Sequence, residues 1–330
     1  MGKLRLSMAC STYDRTRALF DGRVPVEGVN LRCLDLPIEE IFFRMLRHHE
    51  FDVAEMSLSS YVLSLFSENP RLIAIPVFPS RFFRHSCIFI HPDSGIREPR
   101  DLIGKRVGVP EYQMTAAVWI RGILSDHHGV PVTGVRYFRG GEEESGRPEK
   151  IALSLPPKIH LETIPAGETL SAMLASGKID ALYTARMPST FANGSGKVRR
   201  LFENYQQVEQ EYFSTTNIFP IMHVVAIRRD VYKASPWVAQ SLYKAFARAQ
   251  KIAYAELYDS GALACMLPWL TRHVEETRAL MGKDFWPYGL ERNAHTLETF
   301  LRYSFEQGLA KRLLNPVELF APESLESFVV

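Results

Sequence analysis

The chain has 330 residues, of which 46% are hydrophobic, and a formal net charge of +2 at pH 7. This length is enough for two lobes with separate cores, and the near-neutral charge gives no reason to expect nucleic-acid binding. The four cysteines, Cys10, Cys33, Cys87 and Cys265, show no Cys-x-x-Cys spacing, so the sequence indicates neither a zinc site nor a disulfide framework.

The first nine residues enter a short alternating pattern, without the long apolar segment and small-residue cleavage site of an export signal. No run of about 18 apolar residues, the length that a membrane-spanning helix needs, occurs anywhere in the sequence. The sequence therefore predicts a cytoplasmic protein without a membrane partner, unless a leader preceded these residues.

Strand and helix patterns alternate through the first part of the chain. Short strands are predicted at Leu4 to Ala9, Val29 to Leu34 and Phe51 to Met56. Helices are predicted to begin after Ser11 and over Ile38 to Arg47, where apolar residues recur at helical spacing. This alternation favours a mostly parallel sheet with ligand groups at the carboxyl ends of its strands.

The stretch from Pro76 to Ser86 concentrates charge between two buried elements. Arg81, Arg84 and His85 lie within five residues, after an apolar run and before a strand predicted over His85 to His91. An arginine fork suits a carboxylate, and histidine exchanges a proton near neutral pH. The stretch predicts a site for a small anionic acid; the alternative is a surface loop whose arginines pair with nearby acids.

The middle of the chain repeats the alternation. A strand ending near Pro110 leads to residues 111–120, where a helix N-terminus could seat an anion or could simply be a capped helix. Residues 139–157 have little periodicity and are predicted to form an exposed loop. Strands are predicted at Ile159 to Ile164 and at Ile179 to Arg186.

Two segments resemble each other: Gly177 to Tyr183 echoes His49 to Glu55, each with a helix end, an aspartate and a buried strand. The strand predicted at Val224 to Arg228 returns the chain to the first lobe, and a long amphipathic helix follows over Trp237 to Tyr258. We predict lobe I from residues 1–96 plus 221–330, including helical C-terminal residues, and lobe II from residues 97–220. A ligand cleft is expected between the lobes.

This arrangement looks like the two-lobed α/β fold of periplasmic binding proteins of the second type. Four segments, residues 12–19, 51–57, 78–86 and 285–289, resemble the 4,5-dihydroxyphthalate decarboxylase family. The resemblance covers nearly the whole chain. It implies a carboxy-lyase of aromatic-acid catabolism that removes one carboxylate from 4,5-dihydroxyphthalate without oxidation, giving protocatechuate and CO2.

Each carboxylate of that substrate has a hydroxyl para to it, so a base that takes the hydroxyl proton pushes charge toward the carbon that loses CO2. The site then needs a carboxylate clamp, a proton donor and a base. No redox cofactor is required, in keeping with the absence of Gly-x-Gly-x-x-Gly and Walker motifs. No metal is predicted, since neither His-x-His, His-Glu-x-x-His nor a compact carboxylate cluster occurs.

His85 is the first candidate for proton transfer and His223 the second. Asp14 and Glu55, each after a predicted strand, could accept from the catechol hydroxyls, although Asp14 could equally cap the following helix.

Arg81 and Arg84 are the clamp candidates, with Arg15 third. The other residues expected to line the cleft are Tyr13, Ser57 and Ser59 from the first lobe, and Tyr112, Gln113, Thr115, Tyr183 and Arg186 from the second. Trp286 and Tyr288 are expected to belong to the core or an interface.

The main alternative is a solute-binding protein that closes on an aromatic carboxylate without changing it. Solute-binding proteins of this kind are usually exported, and the lack of an export signal in the sequence counts against this alternative. A pyrimidine-precursor synthase or regulator on the same fold would need its own motifs, and none is found. The helical C-terminal third could support a homo-oligomer, although nothing in the sequence specifies one.

Overall fold

The structure is a computed structural model that describes residues 2–325. The chain divides into two compact units. The first unit contains residues 2–81, 221–297 and 315–325, and the second contains residues 82–220 and 298–314.

The strands and helices are numbered in chain order. The strands are β1 (Leu4–Ala9), β2 (Val29–Leu34), β3 (Val53–Ser57), β4 (Leu72–Ile75), β5 (Ile88–Ile90), β6 (Arg106–Val109), β7 (Arg136–Arg139), β8 (His160–Thr163), β9 (Ala181–Tyr183), β10 (Arg199–Arg200) and β11 (His223–Arg228). The α-helices are α1 (Asp14–Phe20), α2 (Ile38–His48), α3 (Leu58–Ser64), α4 (Thr115–His128), α5 (Leu170–Ala175), α6 (Ser189–Ala192), α7 (Tyr205–Thr216), α8 (Arg229–Ala234), α9 (Trp237–Tyr258), α10 (Leu270–Met281) and α11 (Ala294–Glu306). Within residues 2–325, no helix has the length and apolar character needed to cross a bilayer.

The first unit is built on a five-stranded sheet in the order β2-β1-β3-β11-β4. Strands β1, β2 and β3 run parallel, and β11 lies antiparallel between β3 and β4. The register pairs His223 with Ser57 and Val225 with Glu55. His223 and Glu55 are therefore diagonal neighbours on one face of the sheet, within reach of each other's side chains.

Local sequence explains where the helices of this unit begin. The backbone N–H of Tyr13 donates to the Thr16 hydroxyl at 2.8 Å, which fixes the first turn of α1. Ser57 accepts from the Ser60 N–H and caps α3 directly after β3. These two short strand-to-helix turns hold polar side chains at the carboxyl ends of β1 and β3.

The second unit is built on a six-stranded sheet in the order β10-β5-β9-β6-β7-β8. Strands β9, β6, β7 and β8 are parallel; at one side β5 pairs antiparallel with β9, and β10 pairs antiparallel with β5. Helix α4 buries Trp119, whose ring lies 5.5 Å from that of Phe300 and 5.7 Å from that of Tyr303 on α11. Both helices contribute to the core of this unit.

The two units differ from the predicted lobes in two segments. Residues 82–96 belong to the second unit, because β5 pairs with β9 and β10. Residues 298–314, which we predicted with the other C-terminal helices in lobe I, also belong to the second unit, because α11 packs on α4. Sequence periodicity marks the apolar face of a helix without indicating its partner.

Two predicted strands are shorter than expected. The strand predicted over His85 to His91 begins as a turn of 3₁₀ helix at His85–Cys87, and only Ile88–Ile90 pairs in the sheet. The strand predicted over residues 179–186 is limited to β9, since Thr184 and the residues after it leave the sheet.

Candidate active site

A buried carboxylate, Glu55 on β3, is the centre of a polar cluster in the first unit. One carboxylate oxygen accepts from the Tyr13 hydroxyl at 2.9 Å and lies 2.7 Å from Nδ1 of His223. The other oxygen accepts from the Ser11 N–H at 3.2 Å and from the Cys10 thiol at 3.3 Å. Both oxygens are satisfied, as a charge buried this deeply requires.

The surroundings of Glu55 keep it ionised. Burial alone would raise its pKa, but the hydrogen bonds from His223, the Ser11 N–H and Tyr13 outweigh burial, so the pKa lies below its ordinary value. Burial, and then the charge of Glu55, raises the pKa of the Tyr13 hydroxyl and that of the Cys10 thiol. Tyr13 and Cys10 are therefore protonated hydrogen-bond donors at neutral pH.

The state of Glu55 decides the tautomer of His223. Because the carboxylate is ionised, Nδ1 of the imidazole carries the hydrogen that it donates, so Nε2 is the acceptor in the neutral form of the ring. The His223 side chain is 17% exposed, and no other residue in the described range hydrogen-bonds to its ring. The ring edge also contacts Phe42, with ring centroids 5.0 Å apart. The pair can thus accept a proton from a ligand at Nε2.

Arg15 lies beside this cluster and is held by two aromatic rings. Its guanidinium lies 4.1 Å from the ring centroid of Tyr13 and 4.2 Å from that of Trp286. Its Nε donates to the Pro79 carbonyl at 2.5 Å and its Nη1 to Asp14 at 2.9 Å. In residues 2–325 no group accepts from its Nη2, so this edge of the fork is available for an anion.

Arg81 has a different environment. It is buried, and its Nη2 donates to the Pro287 carbonyl at 2.8 Å and to the side chain of Asn293. Burial lowers the pKa of Arg81 to about 9, which still leaves it charged at neutral pH. These bonds tie Arg81 to the loop that carries Trp286, so its contacts are those of a structural support. Its role as a carboxylate clamp stays a prediction.

The other predicted residues of the first unit lie around the same strand ends. Asp14 is exposed and pairs with Arg15, Ser57 caps α3, and Ser59 is fully buried. The hydroxyl of Tyr288 is buried without a hydrogen-bond partner in the described residues, although we expected this residue only in the core. A buried hydroxyl without a partner is a candidate contact for a ligand, and the sequence could not indicate it because burial is known only from the structure.

His85 and Arg84 lie in the second unit and are both buried. The His85 ring is surrounded by the rings of Tyr212, Phe202 and His128 at 5.2, 5.4 and 6.3 Å. Burial, then the neighbouring histidines, lowers its pKa to about 3, so it is neutral at physiological pH. Its environment is that of a core histidine. Arg84 donates to the Ala185 carbonyl at 3.4 Å and to the Cys87 sulfur at 3.5 Å.

The stretch predicted as an exposed loop, residues 139–157, is partly buried. Glu111, just after β6, is 1% exposed and accepts from Arg147 at 2.6 Å and from Lys150. Glu149 accepts from the Tyr112 N–H at 2.5 Å. The prediction of full exposure is wrong because these charges pair with groups at the end of β6, which a lack of periodicity cannot indicate.

A second polar cluster forms where the parallel strands β6, β7 and β9 end. Glu142 accepts from the Thr184 hydroxyl through one oxygen, and its other oxygen is buried without a partner in the described residues. The side-chain carbonyl of Gln113 and the hydroxyl of Tyr183 are likewise buried and unpartnered there. Ligands of α/β proteins bind at this edge of a sheet. Glu142 was not predicted as a site residue from the sequence. The available signal was its position directly after a strand and Gly140-Gly141.

The remaining predicted residues of the second unit have varied surroundings. Tyr112 is fully buried and its hydroxyl donates to the Gln307 carbonyl at 3.2 Å; Thr115 is buried at the start of α4; Arg186 is exposed. The convergence of residues from both units on one cleft stays a prediction. Among residues 2–325, no group of three or more His, Cys, Asp and Glu side chains is arranged to hold a metal ion.

Comparison with known proteins identifies the family. No family model matches the chain. Over 330 residues, 100% of both chains, it is 43% identical to a 4,5-dihydroxyphthalate decarboxylase from Comamonas testosteroni. The chain belongs to the 4,5-dihydroxyphthalate decarboxylase family. A second relative with this name, from Pseudomonas putida, is 47% identical over 213 residues, which cover 64% of this chain and 83% of the relative.

Solved structures similar to this member of the decarboxylase family show its fold. The periplasmic sulfonate-binding protein SsuA from Methylobacillus flagellatus KT matches with a TM-score of 0.58 at 13% identity, over 98% of this chain and 93% of that one. The aliphatic sulphonate binding protein SsuA from Escherichia coli matches with a TM-score of 0.53 at 12% identity, over 96% and 97%. The predicted periplasmic-binding-protein-like α/β fold is confirmed.

The segments that resemble the decarboxylase family supply much of the first cluster. Residues 12–19 carry Tyr13 and Arg15, and residues 51–57 carry Glu55. Residues 285–289 supply Trp286, whose indole N–H donates to the Phe78 carbonyl at 2.8 Å. Segments far apart in sequence thus meet around one ionised carboxylate and one partly available guanidinium.

Proposed function

We propose that this protein is a carboxy-lyase that converts 4,5-dihydroxyphthalate to protocatechuate and CO2. The observation that carries the proposal is the 43% identity over the whole chain to a relative with that named activity. Two features support it with the chemistry that the reaction needs: the Glu55–His223 pair, whose Nε2 has no hydrogen-bond partner in the described residues, and the stacked guanidinium of Arg15. A cytoplasmic location, predicted from the sequence, is part of the proposal.

The reaction begins with proton removal. Nε2 of His223 takes the proton of the hydroxyl para to the carboxylate that will leave, and Glu55 stabilises the imidazolium through Nδ1. The phenolate places negative charge on the carbon that bears this carboxylate. That carbon takes up a proton from solvent, forming a C–H bond and interrupting the aromatic ring.

The carbon–carbon bond to the carboxylate then breaks. Its electron pair returns to the ring, CO2 leaves, and aromaticity is restored. The phenolate recovers its proton from His223, so the enzyme is unchanged and one proton is consumed per turnover. No electron is gained or lost, which agrees with a non-oxidative reaction.

Arg15 is proposed to bind the carboxylate that remains. Its Nη2 edge is available, and the rings of Tyr13 and Trp286 fix the plane of its guanidinium. A charge-assisted bond of this kind contributes roughly 1.5 to 3 kcal/mol. Tyr13 also donates to Glu55, so one side chain positions both the proposed base and the proposed anion binder.

The test is to incubate the purified protein with 4,5-dihydroxyphthalate and to measure CO2 and protocatechuate in equal amounts. His223→Ala should abolish most turnover. His273→Ala removes an exposed histidine of the same unit and should leave turnover unchanged. Binding of several phthalates without any turnover would contradict the proposal and would favour a solute-binding protein.

A further inference from the structure

A large cationic cavity lies in the first unit, away from the Glu55–His223 cluster. Its volume is about 520 Å³, and the charged or titratable side chains that line it are Arg71, Arg228, Arg229, Lys233, Asp230 and His49. This volume lies within the range of small-molecule binding sites. Four of these side chains are cationic and one is acidic.

Strand pairing brings the arginines together. Arg228 ends β11 opposite Leu72, the first residue of the antiparallel strand β4. The backbone N–H of Arg229 donates to the Arg71 carbonyl at 2.7 Å. His223 begins the same strand β11, so the cavity lies about 17 Å from it along the strand, at roughly 3.3 Å per residue. The two sites are therefore separate.

Most of the positive charge in this cavity has no counter-charge. Arg228 donates to Asp230 at 2.7 Å and lies 3.4 Å from Asp52. In residues 2–325, no carboxylate lies within 4.0 Å of the cationic groups of Arg71, Arg229 or Lys233. The Nε of Arg229 is buried without a hydrogen-bond partner in the same range. A cavity lined by one sign of charge concentrates the field and attracts an ion of the opposite sign.

The imidazole of His49 lies in the same cavity and is affected by the same arginines. Burial, then the charges of Arg71 and Arg228, lowers the pKa of its imidazole. Burial and the two arginines together outweigh the charge of Asp230, which alone would raise this pKa.

We propose that this cavity is a second anion-binding site, which takes a small non-aromatic polyanion that carries phosphate or carboxylate groups. Guanidinium forks match both kinds of oxyanion in geometry and charge. Apart from the His49 imidazole, no aromatic ring lines the cavity in the described residues. Arg15, in contrast, is held between Tyr13 and Trp286. Recognition here depends on charge, so a compact polyanion suits the site better than an aromatic acid.

The test is calorimetric titration of the full-length protein at low ionic strength with pyrophosphate and, separately, citrate. The variant R71A/K233A removes two exposed cations of the cavity; R17A/K251A removes two exposed cations elsewhere in the same unit and is the matched control. We expect at least one probe to bind the wild type and the control equally, and to bind R71A/K233A at least tenfold more weakly. The probe that binds identifies the preferred oxyanion.

Raising NaCl from about 20 to about 200 mM should weaken this binding, since the charges are partly exposed. Equal affinity in R71A/K233A and the wild type would overturn the proposal, as would no binding of either probe at millimolar concentration. Titration with phthalate is a comparator, because an aromatic dianion that binds at the Glu55–His223 cluster should be unaffected by R71A/K233A. The readout is binding, so the result does not depend on whether the protein decarboxylates 4,5-dihydroxyphthalate.

Discussion

Glu55 and His223 act as one unit in the proposed mechanism, which leads to a prediction at the scale of single residues. Glu55→Gln keeps the shape of the side chain but removes the charge that holds the imidazole in its tautomer, so kcat should fall by about 100-fold or more. His223→Ala should lower kcat by at least the same factor. The double variant should be no slower than the worse single variant, because groups that act together are not additive. If steady-state kinetics showed that the kcat of the double variant falls by the product of the two single effects, the two residues would not act as a coupled pair.

Arg15 gives a prediction about binding. Arg15→Lys keeps the charge but loses both the planar fork and the stacking between Tyr13 and Trp286. KM for the dicarboxylate should rise roughly tenfold or more, with a smaller change in kcat. Arg17→Lys, the same substitution at an exposed position of α1, is the control. A fall in kcat alone would argue against a role in substrate binding.

Glu142 gives a prediction about pH. Burial raises its pKa from 4.5 to about 6, so the folded state binds this proton more tightly than the unfolded state does. The stability contributed by the protonated form is complete below pH 4.5 and is lost as the pH rises through about 6. The loss is about 1 to 2 kcal/mol. Glu142→Gln should remove this pH dependence in urea unfolding at pH 5 and pH 7, whereas Glu144→Gln, an exposed neighbour, should retain it.

Much of the first cluster could be predicted from residue type and position. Tyr13 and Arg15 follow β1 and Glu55 lies on β3, and polar residues within or directly after apolar runs revealed them. The ranking of His85 above His223 for proton transfer stays a prediction. It depended on residue type and on the two neighbouring arginines, and the sequence carries no measure of the burial found around the His85 ring. Glu142 was overlooked because a stretch without periodicity can still be held by ion pairs.

At the scale of elements, the contact between α4 and α11 depends on a glycine. A Cβ added at Gly122 would lie 2.1 Å from the Tyr303 ring. Gly122→Ala should therefore destabilise the protein by about 1 to 3 kcal/mol through overpacking, although alanine favours a helix by about 1 kcal/mol. Ser125→Ala in the same helix should be neutral or slightly stabilising. Thermal unfolding of the two variants checks this; a more stable Gly122→Ala would mean that the helices separate readily.

The elements themselves were largely predictable. The periodicity over residues 237–258 gave the bounds of α9, and alternating apolar residues gave β1 and β2. The ends of β5 and β9 were less predictable, because they depend on which residues pair with a neighbouring strand, and the sequence does not indicate that strand. The placement of α11 could not be predicted, because the ring contacts of Phe300 and Tyr303 with Trp119 exist only in the folded chain.

At the scale of the whole molecule, the second unit is assembled from two separate segments. A fragment of residues 82–220 lacks Tyr303 and Gln307, whose side chains contact Trp119 and Arg121 on α4. This fragment should show weak near-UV circular dichroism and bind a hydrophobic dye. The same fragment joined by a flexible linker to residues 298–314 should unfold cooperatively. Cooperative unfolding of 82–220 alone, at the same temperature, would show that α11 is dispensable.

This division of the second unit also sets an order of events during translation. Helix α4 leaves the ribosome long before Gln307, the residue whose side chain accepts from the buried guanidinium of Arg121. At 5 to 20 residues per second, the delay is on the order of 10 to 40 s. Throughout that interval a nascent chain presents Trp119, and an Arg121 without its side-chain partner Gln307, to the surrounding solution. Cellular yield should therefore be more sensitive to chaperone supply than the stability of the finished protein suggests.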